Sequence, residues 1–64
     1  MTIKYYIQKH ALQGYEWDEG YFDLMLESSK IRAVKLAKNE AENSGRTMRV
    51  KRWDGRIICT IEPR

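Results

Sequence analysis

MRVKRWDGRIICTI, residues 48–61, carries the sharpest local structural signal in the chain. Asp54-Gly55 separates two β-prone runs, and Asp-Gly in that position is a strong hairpin signal. A two-residue type I′ turn, with φ > 0 at both Asp54 and Gly55, sets the expected pairing. Trp53 then faces Arg56, Arg52 faces Ile57, Lys51 faces Ile58, Val50 faces Cys59, Arg49 faces Thr60 and Met48 faces Ile61. Side chains alternate between the two sides of a strand. One side of the hairpin therefore gathers Met48, Val50, Ile57, Cys59 and Ile61, with Arg52 near the tip. The other gathers Arg49, Lys51, Trp53, Arg56, Ile58 and Thr60, a basic surface that also holds an aromatic and an aliphatic side chain.

Working towards the N-terminus, SSKIRAVKLAKNEAENSG (28–45) reads as a helix. Ser28 or Ser29 can cap its start, and Gly45 stands where a left-handed C-terminal residue belongs. Ala33, Val34, Ala37 and Ala41 share one stripe at helical spacing, with Leu36 on its flank. The stripe is mostly small, so the helix can lie close to a sheet. A competing reading starts the helix at Asp23, as the N-cap of LMLESSKIRAVKLAK.

Further upstream, Ile3, Tyr5 and Ile7 alternate with Lys4, Tyr6 and Gln8, the pattern of a half-buried strand. Phe22, Leu24 and Leu26 alternate in the same way with Asp23, Met25 and Glu27. Between these runs, HALQGYEWDEGY (10–21) reads as a long hairpin connection. The sum is an α+β domain, ββαββ, spanning residues 1–64. It is expected to be a four-stranded, mostly antiparallel sheet with one helix on one face and the other face open. Strand order does not follow from these patterns.

Sixty-four residues with a single Cys allow no intrachain disulfide and no Cys-rich metal site. A reducing, cytoplasmic setting is the natural expectation. MTIKYYIQKHAL lacks the continuous apolar core of a signal peptide, and no run approaches the ~20 apolar residues of a membrane span. Residues 1–29 carry two Lys against five acids, a balance of −3. Residues 30–64 carry ten Lys/Arg against four acids, +6, so the two halves sum to +3. A basic half suits an anionic partner such as nucleic acid, and it also suits an acidic protein or the acidic half of a second copy.

Chemistry-bearing residues are few. Cys59 alternates with the apolar residues of the core side, where a thiol behaves as a small hydrophobe. His10 follows a strand and reads as a surface or turn residue. Glu16, Asp18 and Glu19 cluster in YEWDEG but lack the alternating ligand spacing of a calcium loop, so they read as a solvated acidic segment. Gly14, Gly20, Gly45 and Gly55 are scattered and form no phosphate-cradling loop. The expectation is a non-enzyme without metal or cofactor.

Binding has more behind it. Bases stack on exposed rings while cations track phosphates. Tyr6 and Trp53 are the expected platforms, with Lys4, Arg49, Lys51 and Arg56 as phosphate contacts. The nucleic acid could be single-stranded or a duplex, since a β-ribbon entering the major groove uses similar residues. The alternative is a protein interface, an adaptor, inhibitor or homodimer contact, built from Tyr6, Met25, Trp53 and Ile58 on the same open face.

The run RAVKLAKNEAENSGRTMRVKRWDGRIICTI (32–61) resembles a pattern in small bacterial and phage proteins. In that pattern an Ala-rich helix ends at Gly, and a Gly-x-x-x-Arg-Val strand enters a tight turn before a closing strand. The resemblance covers about half the chain. It implies the same fold and a bacterial or phage setting, and it carries no active residue.

Overall fold

A computed structural model describes residues 3–11 and 17–63. Its elements are β1 (Tyr5–His10), a 3₁₀ turn (Trp17–Gly20), β2 (Tyr21–Glu27), α1 (Lys30–Ser44), β3 (Met48–Arg52) and β4 (Ile57–Ile61). The four strands form one antiparallel sheet in the order β2-β1-β3-β4, with the helix as the second layer. The ββαββ α+β reading holds. The central pair, β1 and β3, joins the two hairpins of the chain.

The helix begins where Ser29 ends the extended backbone. Its Oγ accepts from the Arg32 N–H at 3.4 Å, a long bond that belongs at the weak end of the ~0.5–2 kcal/mol of an N-cap. Asp23 is not the cap, because it lies inside β2. Gly45 closes the helix at φ 69°, donating its N–H to the Ala41 carbonyl at 2.9 Å. That left-handed conformation costs a glycine nothing and suits the reversal into β3.

Ala33, Ala37 and Ala41 meet Ile7, Met48 and Val50 in the buried core, as the small-residue stripe requires. Tyr5, Val34, Leu36, Ile58, Cys59 and Ile61 pack around them. Lys9 lies on the helix side of β1 and forms an ion pair with Glu40 of α1.

The hairpin turn differs from the expected type I′. Gly55 alone adopts positive φ, at 94°, while Asp54 does not. The loop has three residues. Gly55 N–H donates to the Arg52 carbonyl at 2.9 Å and Arg52 N–H donates to the Arg56 carbonyl at 2.7 Å. A left-handed glycine closing a three-residue loop is the next commonest hairpin solution. It spares Asp54 the left-handed region and frees its carboxylate for local bonds. Asp54 Oδ1 accepts from the Arg56 N–H at 3.1 Å, and Oδ2 lies 2.9 Å from Arg52 Nη2.

This longer loop moves the pairing by one residue, and a β-bulge moves it back. Lys51 pairs with Ile57, Val50 with Cys59, Arg49 with Thr60 and Met48 with Ile61, so Ile58 is the extra residue. The lower half of the hairpin matches the expected register and the upper half does not. Ile58 packs against the core instead of standing on the open face, and Ile57 is exposed instead of buried.

A second bulge does the same to β2. Gln8 pairs with Asp23 and Ile7 with Met25, leaving Leu24 as the extra residue. Directly paired residues share a side of the sheet. Met25 therefore lies on the helix side with Ile7, and Leu26 lies on the open side with Tyr6, the reverse of the simple alternation. Both bulges sit on edge strands, where an extra residue twists the strand and blunts its unpaired edge. Among the described residues no helix is long and apolar enough to cross a membrane.

Candidate nucleic-acid interface

The open face is built in cross-strand rows. The row nearest the β3–β4 turn runs Leu26, Tyr6, Lys51, Ile57, and the next runs Asp23, Gln8, Arg49, Thr60. At the far end of β1, His10 pairs with Tyr21, their rings edge to face at a centroid distance of 4.9 Å.

Tyr6, Gln8, Asp23, Lys51, Arg52, Trp53, Asp54 and Gly55 line one shallow concavity of about 390 Å³ that opens to solvent. Trp53 reaches it because its backbone N–H donates to the Lys4 carbonyl at 3.0 Å, anchoring the turn beside the start of β1. Tyr6, Lys51 and Trp53, expected from the sequence to act together, do line one surface. Lys4 is exposed beside Trp53. Arg56 is exposed too, but the longer turn pairs it with Arg52 instead of Trp53, which takes it off the side that Lys51 and Ile57 share.

Arg49 departs from its expected role as a phosphate contact. It is only 4% exposed. Its Nε donates to Gln8 Oε1 at 2.8 Å, its guanidinium carbon lies 4.0 Å from the centre of the Tyr21 ring, and Nη1 stands 3.5 Å from Glu19 Oε1. The 3₁₀ turn and β2 thus close over this end of the open face. The Glu19 carboxylate is 84% exposed, so water screens that ion pair. Tyr21 and Gln8 hold the guanidinium out of reach of solvent. Glu16 and the side chain of Asp18, the other members of the acidic cluster, lie outside the described residues, as does the side chain of Trp17.

The same row carries its polarity outward. Gln8 Nε2 donates to Asp23 Oδ1 at 2.8 Å. An arginine can only donate, so the Gln8 carbonyl must turn to Arg49 and its amide to Asp23. The Asp23 carboxylate is thereby held as an acceptor at one end of the concavity.

Of the alternative interface residues, Tyr6 and Trp53 stand on the open face, while Met25 and Ile58 do not. Leu26 and Ile57 replace them there, 51% and 43% exposed. Alternation alone missed both, and only knowledge of the two bulges could have found them. Arg52, assigned to the core side of the hairpin, also reaches the concavity, through the turn that pairs it with Asp54.

Cys59 packs against the core, and burial pushes its thiol above the ordinary value. At Asp54 the hydrogen bond from the Arg56 N–H, helped by the charges of Arg52 and Arg56, holds the carboxyl below its ordinary value. Among the described residues no group of three or more His, Cys, Asp or Glu is arranged to hold a metal ion. The chain matches no protein-family model, no curated protein and no solved structure.

Proposed function

We propose that this is a non-catalytic module that binds single-stranded nucleic acid through the open face of its sheet, in the cytoplasm. The observation that carries the reading is the shared concavity of Tyr6, Trp53 and Lys51, with the exposed Lys4 beside Trp53. Rings on a flat face suit bases that are already unstacked, each worth roughly 1–3 kcal/mol. The cations supply the sequence-independent attraction to phosphate. The core packing of Cys59, with its raised thiol, and the edge-to-face contact of His10 with Tyr21 support structural roles for the two side chains most suited to catalysis.

The test is a tryptophan fluorescence titration with a mixed-sequence oligonucleotide at low and moderate salt. Saturable quenching that weakens with salt and is lost in Trp53→Ala, with Trp17 still present, is the expected result. Absence of any response at low salt rejects the reading.

A second reading has its own observation. Leu26, Ile57 and the 49% exposed Trp53 put apolar surface on the face that carries Lys51. Exposed apolar patches favour a protein contact, whether an acidic partner or a second copy. In that case Leu26→Asp and Ile57→Asp abolish binding, and salt matters less than it does for nucleic acid.

A further inference from the structure

Resting on the nucleic-acid reading, we propose that the concavity selects guanine, with the Asp23 carboxylate reading its Watson–Crick edge while Tyr6 carries the ring. Gln8 and Tyr6 are two residues apart on β1, about 6.7 Å, and point to the same side. Asp23 pairs with Gln8 and Lys51 pairs with Tyr6. A base lying on Tyr6 thus has the carboxylate on one side and the ammonium on the other. Trp53 stands two residues beyond Lys51, one further step along the same direction, where it meets the neighbouring base.

The choice of base follows from donor and acceptor counting. A carboxylate only accepts. Guanine presents two adjacent donors, N1–H and the N2 amino group, which match the two oxygens of a carboxylate in parallel. Cytosine and adenine present one amino donor beside an unprotonated ring nitrogen, whose lone pair repels the carboxylate. Uracil and thymine present one N–H between two carbonyls. The relay from Arg49 through Gln8 to Asp23 matters because it orients the carboxylate in advance, at 2.8 Å for each bond. A side chain held before binding loses less freedom on binding.

The experiment uses the intact chain and a thymine-rich ten-nucleotide single strand whose central base is guanine, inosine, adenine, cytosine or thymine. Inosine lacks only the N2 amino group. The expected order is guanine tightest, by roughly tenfold over thymine, with inosine between them. Asp23→Asn keeps an oxygen for the Gln8 amide, so the fold and the overall quenching of Trp53 should persist while the guanine preference disappears. Equal affinity for all five strands, with quenching intact, overturns the guanine assignment and leaves the nucleic-acid reading standing. Preference that survives Asp23→Asn also overturns it. No quenching by any strand removes both readings together.

Discussion

Arg49 and Tyr21 meet across β1, the guanidinium carbon 4.0 Å from the ring centre, although their strands are not neighbours in the sheet. This contact ties the β1–β2 hairpin to the β3–β4 hairpin on the face opposite the helix. It also buries a cation that alternation leaves open to solvent. The guanidinium is therefore part of what holds the sheet, and the binding surface is displaced towards Tyr6, Lys51 and Trp53.

Arg49→Ala is expected to lower the unfolding free energy by about 2–3 kcal/mol, through loss of the bond to Gln8 and of the stacked cation. For a domain of this size that corresponds to a fall in Tm of about 10 °C or more. Glu19→Ala should cost less than about 0.5 kcal/mol, because its ion pair is exposed. Equal effects in thermal melts of the two variants would contradict the placement of Arg49.

Ile58→Ala should destabilise by about 1–2.5 kcal/mol, because the side chain is partly buried against the core. Ile57→Ala should change stability by no more than about 0.5 kcal/mol. Urea denaturation of the pair checks the β4 bulge directly, since regular alternation reverses the order.

Gly55→Ala should cost about 1 kcal/mol. A Cβ there meets nothing within 4 Å, so the penalty comes from the backbone at φ 94° and not from crowding. Gly55→Asn should recover much of the loss, because Asn tolerates the left-handed region. Denaturation midpoints of the two variants measure the difference.

The Asp54 carboxyl should titrate below an aspartate in the denatured chain, as followed by its side-chain carbon resonance against pH. The Arg56 N–H is the first cause and the flanking arginines add to it. A depressed native value means that the turn is favoured while pH stays above the unfolded value. That contribution fades as pH falls through the native value. Asp54→Asn should leave a hairpin whose stability no longer has this acid-side slope.

Cys59 should react slowly with a thiol reagent at pH 8 in the native state and faster in urea, because burial raises its thiol. The sign on stability is opposite to that of Asp54. Its contribution is complete below the unfolded thiol value and is lost as pH rises through the native one. A native rate equal to the denatured rate would contradict its packing beside Val50.

Local chemistry in the sequence was enough for the element types, a serine cap at 28 or 29, the helix end at Gly45 and the alanine face of α1. Each depends on residues near one another in the chain: a cap, a periodicity, a left-handed glycine. The pairing of Met48, Arg49 and Val50 with Ile61, Thr60 and Cys59 agrees with the expected register because the bulge at Ile58 offsets the longer turn. Tertiary structure decided the strand order, the two bulges, and hence which of Met25 or Leu26, and of Ile57 or Ile58, stands on the side opposite the helix. A single extra residue reverses every later side chain on a strand. Its position is set by the neighbouring strand and the core beneath, which no local pattern records. The burial of Arg49 belongs to the same class, because Gln8, Tyr21 and Glu19 reach it only once both hairpins share one sheet.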